Sequence, residues 1–499
     1  MYFKMLFNEE NLKDVVYQLN GGAEMFYREA SIKDEDKVVH PANQPIKNKN
    51  VDNEKKESLF AYDIIKDNRY TKSQFSLHLP ITLNFKADGQ TFINTDVRKT
   101  LKDSDDNYVI GIDRGERNLL YVCVINSKGE IVEQKSLNEI ISANKHKVNY
   151  HNLLNSKEKD RDDARKNWGT IENIKELKEG YLSQVINEIC SLILKYDAIV
   201  AMEDLNSGFK NGRIKVEKQV YQKFENMLIS KLNYLVRKDI SLDKKGGLLN
   251  AYQLTNKVEG VNRGRQNGFI FYVPAWLTSK IDPVTGFVDL IKPRYTSVND
   301  ALDFVRKIDD IRYNEHEDLF EFDIDYSKFP KASTSYRKNW TLYTNGERII
   351  NYRNPEKNNS WDNKTVALSK ELKTLFDEFD IDYHSHRIKE KILTKDSKEF
   401  FKRFLKLISL TLQMRNSETG NVDVDYLISP IKNDDGIFYD SRNACADGIH
   451  PENADANGAY NIARKALWAI SVLKETEDEF LKTADLSIRN SDWLEYVQK

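Results

Sequence analysis

Cysteine is scarce: Cys123, Cys190 and Cys445 are the only three in 499 residues. They stand far apart with no CxxC spacing, which excludes a zinc ribbon and a disulfide framework and fits a reducing, cytoplasmic compartment. Long apolar runs are also missing. No stretch approaches a membrane span, and the short apolar start MYFKMLF meets Glu9 and Glu10 at once, unlike a secretory signal. A soluble, intracellular protein is therefore expected. No charge sign dominates, since 76 Lys and Arg against 78 Asp and Glu leave a formal net charge of -2. That excludes a uniformly basic nucleic-acid coat but leaves room for local basic tracks. Internal repeats and low-complexity tracts are absent as well. Apolar material is present in quantity, at 40% hydrophobic and 11% aromatic, enough for real cores, and the length predicts roughly three domains.

Residues 1–105 read as a separate, β-rich unit. Phe75, Leu77, Leu79, Ile81, Leu83 and Phe85 alternate with mostly polar neighbours, the period of a half-buried strand, with Pro80 pointing to a sheet edge. Asp34 to Lys56 reads as a polar surface loop. From Asn107 a meander is expected: strands over 108–113 and 118–125, a turn at 126–129, and a strand from Glu130. The charged segment HNLLNSKEKDRDDARKNW reads as a solvated helix, except that Trp168 at its end needs a pocket. Leu182, Val185, Ile186, Ile189 and Ile193 then mark a helix feeding the buried strand Ala198 to Met202, which ends at Glu203. A glycine-hinged basic loop, GFKNGRIKVEK, precedes a long amphipathic helix. Residues 275 to about 450 read as a second α+β unit, with alternation in DLFEFDIDY, a hairpin signal at Asn345-Gly346, and a helix over FFKRFLKLISLTLQMR. An alanine-rich helix opens near Asp455.

Three carboxylates share one character. Asp113 ends the first strand, Glu203 ends the strand after a crossover, and Asp455 starts the late helix. Asp113 and Asp455 each have a plain reading on their own, as a turn former and a helix N-cap. In the order strand-strand-strand-helix-strand, however, the three match the ribonuclease H-like fold, where the first and fourth strands lie side by side and bring their terminal acids together. Two-metal hydrolysis of a phosphodiester needs such an array, because cations about 3.5 to 4 Å apart must be held by several fixed carboxylates. Mg²⁺ prefers hard oxygen ligands and keeps waters, so few protein ligands suffice.

Longer strings make the resemblance specific. GIDRGERNLLY, AMEDLNSGFKNGRIKVEKQVYQKFE and NADANGAYNIARKAL resemble the three split RuvC segments of type V-A CRISPR-associated RNA-guided endonucleases, the Cas twelve-a family. VVHPAN, GYLSQVI, FYVPAWLTSKIDP, LQMRNS and SPIKNDDGIFYDSR extend the similarity over the whole chain. The resemblance implies that Asp113, Glu203 and Asp455 are metal ligands and catalytic acids, with two Mg²⁺ ions, or Mn²⁺ in their place. Arg415 becomes an arginine facing the cleft and able to neutralise a phosphate, and Asp425 a second catalytic residue of the Nuc domain; their plain readings are a helix C-cap and a turn acid. Phe209 to Lys218 becomes a lid and Trp168 the anchor of a bridge helix against guide RNA. His40, Lys49, Lys66 and Tyr70 become the site that cuts precursor guide RNA without metal, Tyr70 standing where relatives carry Phe.

The implied domains are a wedge fragment over 1–105, RuvC segments over 106–149, 169–274 and 448–499, the bridge helix over 150–168 and Nuc over 275–447. The fold class is α/β plus α+β: a ribonuclease H-like mixed sheet split by insertions, a mixed α+β Nuc domain and the β-rich wedge fragment. The implied partners are guide RNA, target DNA, single-stranded DNA and an N-terminal recognition half, since family members carry several hundred more residues ahead of this point. The implied setting is the prokaryotic cytoplasm, with no membrane. A transposon-type RuvC nuclease is the near rival, disfavoured by the lack of a four-cysteine ribbon. A catalytically idle nucleic-acid-binding or scaffold fragment is the rival from another class.

Overall fold

A computed structural model describes residues 6–15, 17–19, 22–47, 57–84, 92–114, 119–141, 147–149, 174–204, 215–237, 239–241, 243–256, 265–418, 421–443 and 448–499. The chain forms two compact units, one of residues 1–88 with 234–252 and a larger one of residues 89–233 with 253–499. The first boundary falls well before residue 105, and the reason is one helix. Helix α1 (Ile93–Asp103) buries Ile93, Val97 and Leu101, one stripe at helical spacing, in the same core as Val109, Ile199 and Phe271.

The larger unit is organised on a six-stranded mixed sheet. Strands β1 (Val109–Asp113), β2 (Tyr121–Ile125) and β3 (Ile131–Ser136) form the antiparallel meander expected of the sequence. Helix α2 (Ile174–Tyr196) returns the chain to β4 (Ile199–Glu203), and helix α3 (Lys215–Asn233) follows it. Strands β5 (Gln266–Asn267) and β6 (Ile270–Val273) complete the order β3-β2-β1-β4-β6-β5. Strand β4 pairs parallel with β1 on one side and with β6 on the other. Nearly every residue of β1, β2 and β4 is buried, which is why their apolar runs are continuous rather than alternating.

One helix covers a face of this sheet. Helix α5 (Ala454–Glu475), which follows α4 (Lys398–Leu412) in the chain, lays Ala456, Ala459, Ile462, Ala463 and Ala466 into the core. Its alanines let the backbone approach closely. At Gly111 of β1 an added Cβ would lie 2.0 Å from the Ala459 carbonyl oxygen, so strand and helix backbone are in direct contact there.

A second core spans residues 287–454, around Phe320, Trp340, Phe376, Phe400 and Phe404. The strand Leu319–Asp325 alternates between buried and half-buried side chains as its sequence predicts. Asn345-Gly346 does not make a hairpin. The strand before it, Asn339–Tyr343, pairs with Leu319–Asp325, while the strand after it, Glu347–Asn354, pairs with Ser360–Ala367. The turn instead carries the chain from one sheet to another, anchored by Arg348, which donates to the Asn345 carbonyl at 2.7 Å. Strands β7 (Arg415–Glu418) and β8 (Asn421–Lys432) are antiparallel neighbours directly after α4.

The smaller unit is built from two-stranded pieces. The single strand expected over 75–85 is broken at Leu79-Pro80: Gln74–His78 pairs with Glu24–Arg28, and Ile81–Leu83 pairs with Tyr17–Leu19. Proline lacks the N–H that would carry one ladder across the break. Phe75 and Leu77 are 69% and 60% exposed, so this strand is not half-buried in the unit; Phe85 lies outside the described residues. Among the described residues, no helix is long and apolar enough to cross a membrane.

Candidate active site

The parallel register of β1 and β4 sets Ile112 opposite Met202. The next residues, Asp113 and Glu203, therefore end adjacent strands at the same level. The third acid comes from α5. Asn453 is that helix's N-cap, its side chain accepting the Ala456 N–H at 2.8 Å, so Asp455 is not the cap; it sits inside the first turn and is 2% exposed. The same turn bears on the strand end, because a Cβ at Gly458 would lie 2.5 Å from Oδ2 of Asp113.

Like charges at close quarters leave an electrostatic imprint. Burial, then Glu203, then Asp455 push the Asp113 carboxyl well above the usual carboxylate range. One counter-charge that favours the Asp113 anion is Arg415, the first residue of β7. Its Nε and Nη2 bind Asp425 of β8 in a fork at 2.9 and 2.8 Å, and Nη2 reaches Oδ1 of Asp455 at 3.4 Å. Helix α4 stops at Leu412, so Arg415 is a strand residue rather than a helix cap, and Asp425 pairs across the ladder rather than in a turn. Burial works against the guanidinium charge, but Asp425, Asp455 and Asp113 outweigh it and hold Arg415 firmly cationic.

Several residues of the site were not singled out by sequence reasoning. The Thr278 hydroxyl donates to Oε1 of Glu203 at 2.7 Å, and buried Arg114 donates to the Glu203 backbone carbonyl. Thr278 is held in turn by one face of α5. Asn457 donates to the Ile281 carbonyl at 2.8 Å, Asn461 to the Thr278 carbonyl at 2.9 Å, and Lys465 to the Pro274 carbonyl at 2.7 Å and to that of Trp276. These three side chains are buried at helical spacings of four, a polar ladder that satisfies carbonyls of the loop after β6. Burial brings the Lys465 ammonium down to about 7, with Glu203 opposing the shift. The available signal was polar residues repeating every fourth position in an otherwise apolar helix.

The donor chemistry fits a hard divalent cation: three carboxylates from different elements, one of them strongly disfavoured as an anion without a neighbouring positive charge. Among the described residues no three His, Cys, Asp or Glu side chains close into a ready-made metal cage. Asp455 leans toward Arg415, and Glu203 takes the Thr278 hydroxyl instead.

The residues expected to process RNA lie in the smaller unit. His40, on the strand Val39–His40, pairs with Ile64 and has Nε2 3.2 Å from the Gln44 carbonyl. The Lys66 N–H donates to the Val38 carbonyl at 2.9 Å, so His40 and Lys66 belong to one two-stranded piece. Tyr70 has Arg69 and Arg28 over its ring at 4.6 and 5.3 Å. Lys49, Trp168 with the segment 150–168, and residues 209–214 of the expected lid lie outside the described residues.

This sheet, with acids at the ends of adjacent parallel strands and a helix turn closing over them, lies within one sequence-family match that covers residues 87–499. The match starts just before α1, close to where the larger unit begins. Nucleic-acid cleavage is the activity class that goes with it. The chain belongs to the RuvC nuclease domain family.

Proposed function

We propose that this chain is the nuclease part of an RNA-guided DNA endonuclease of CRISPR type V-A, hydrolysing phosphodiesters of the target and the non-target DNA strand in one site at Asp113, Glu203 and Asp455. The observation that carries this reading is that Asp113 and Glu203 end adjacent parallel strands at one level while the helix turn that holds buried Asp455 closes on Asp113. A protein that spends stability on crowding three acids has a use for positive charge there.

Two divalent cations, Mg²⁺ in the first place, would when bound supply an activated water and charge stabilisation for the leaving oxygen. The chain's own residues do the rest. Asp113, Glu203 and Asp455 would hold the ions. Thr278 fixes the rotamer of Glu203 through its 2.7 Å hydrogen bond. Arg415, kept cationic by Asp425, directs a guanidinium at the same acids and offers it to a phosphate oxygen of the bound strand.

Precursor guide-RNA processing is assigned to the smaller unit. His40 would serve as acid or base, Lys49 and Lys66 as cations for the phosphorane, and Tyr70 as a stacking surface. Guide RNA, target DNA and a recognition half are the partners this reading requires.

The test is cleavage of labelled DNA by the chain with guide RNA and the recognition half supplied, in Mg²⁺ and in EDTA. Cleavage in Mg²⁺ alone, lost in Asp113→Ala, is the expected result. Equal cleavage by the Asp113→Ala chain would exclude this site.

A further inference from the structure

Away from the acids, the larger unit contains a cleft of about 600 Å³ between helix α4 and the extended segment 289–295. On α4, Lys402, Lys406 and Ser409 follow at spacings of four and three, so they share the face opposite the buried Phe400, Phe401, Phe404 and Ile408. The other wall supplies Lys292, Arg294 and Tyr295, with Asp289 as the one acid of the lining. Four cations against one carboxylate is a strong local excess in a chain whose net charge is -2.

In the same subdomain Arg312, Lys328, Lys373, Arg403, Lys432 and Arg442 each close on a carboxylate. Among the described residues, none of the four cleft cations makes an ion pair, and Lys402 instead has its ammonium 5.8 Å from the Tyr295 ring. Other cations of the subdomain, Lys364 and Lys370 among them, also make no ion pair among the described residues, so what sets these four apart is their clustering on two facing walls without ion-pair partners. A helix that pairs Arg403 with Glu378 but leaves Lys402 and Lys406 open on the next face leaves them available to an anion from outside. Phosphates at regular spacing, with a base to lay on Tyr295, match cations on two walls and one aromatic ring. Helix α4 ends at Leu412 and β7 begins at Arg415, so the cleft and the arginine beside the acids belong to successive elements of the chain.

We infer that the cleft lined by Lys292, Arg294, Tyr295, Lys402 and Lys406 is a binding site for the phosphodiester backbone of a single nucleic-acid strand, separate from the carboxylate site. The inference uses the nuclease reading for what the strand is, but not for its test, which needs no cleavage.

Binding of fluorescent oligo(dT) and oligo(U) to the full chain is followed by anisotropy in EDTA across a salt series. Lys402→Glu combined with Lys406→Glu is expected to weaken binding about tenfold and to flatten the log-log salt slope by about 1.4, the share of two single-strand phosphate contacts. Tyr295→Ala should weaken it about fivefold or more. Lys364→Glu with Lys370→Glu makes the same charge change on another exposed surface and should do much less. Lysine-reactive footprinting gives the second readout, with Lys292, Lys402 and Lys406 protected by the oligonucleotide and Lys364 and Lys370 not. Equal loss in the two double variants, or no protection in the cleft, overturns the proposal. Similar binding of both oligomers identifies a backbone reader, and a clear preference for one identifies the strand. Because binding is read in EDTA, with no cleavage, failure of the carboxylate site and failure of the cleft are read separately.

Discussion

The two regions to which chemistry is assigned are built on opposite terms. In the larger unit, Asp113, Glu203 and Asp455 come from two strands and a helix that share a dense core, and each is fixed by packing or by a named donor. In the smaller unit, His40 and Lys66 lie on a two-stranded piece whose neighbours are likewise two-stranded, with Met25, Phe75 and Leu77 exposed. Such pieces have little stability of their own. Crowded like charges therefore make the larger unit's site expensive and rigid, while the smaller unit's site is cheap and open. Substitutions at the first should move both stability and activity; those at the second should move activity alone.

The sharpest way to break this contrast is at the acids. Asp113→Ala and Glu203→Ala should each lower single-turnover DNA cleavage by about a thousandfold or more, each removing a cation ligand. Asp113→Asn should at the same time raise the Tm of the chain in EDTA at neutral pH. A carboxyl whose pKa is raised on folding stabilises the folded state below its ordinary range, and that contribution is lost as pH rises through the folded value. An unchanged or lower Tm for Asp113→Asn would mean that the acids are not in conflict.

Arg415→Ala comes next, with an expected loss of about a hundredfold in kcat from removing one preorganised donor, measured at saturating substrate. If the loss lay in KM alone, the arginine would be a binding residue instead. Gly111→Ala tests the packing beneath the site. Its Cβ would meet the Ala459 carbonyl at 2.0 Å, and chemical denaturation should show a cost of about 1–3 kcal/mol. Thr278→Val should raise the Mg²⁺ needed for half-maximal cleavage by about tenfold, with Thr278→Ser restoring it; a serine variant as weak as valine would separate the hydroxyl from Glu203. The smallest change in stability belongs to His40→Ala, within about 0.5 kcal/mol, with precursor RNA processing reduced and DNA cleavage intact. A folding defect there would remove the contrast between the regions.

Much of the larger unit was legible in advance because its signals are local. The continuous apolar runs of β1 and β4 and the periodicity of α2 predict buried strands with a crossover helix before β4, and the strand order matched to the ribonuclease H-like fold sets β1 and β4 as parallel neighbours, as they are. Other readings failed where pairing depends on distant partners. Asn345-Gly346 looks like a hairpin turn, yet the strands on either side pair elsewhere in the chain. Arg415 has the sequence context of a helix end, and only the end of α4 at Leu412 makes it a strand residue beside Asp425. Asp455 resembles a cap because Asn453, which takes that role, stands two residues before it.

By itself the sequence determined the acids, their order, and the strands and helices that carry them, because hydrophobic period and strand ends are properties of neighbouring residues. The tertiary structure alone decided what surrounds those acids. Thr278 on Glu203, Arg415 shared by Asp425 and Asp455, and the ladder of Asn457, Asn461 and Lys465 join different elements of the fold. Hydrophobic period does not name the partners in such contacts; those made by α5 depend on a glycine in β1 and the alanines of α5 letting a helix lie directly on the sheet.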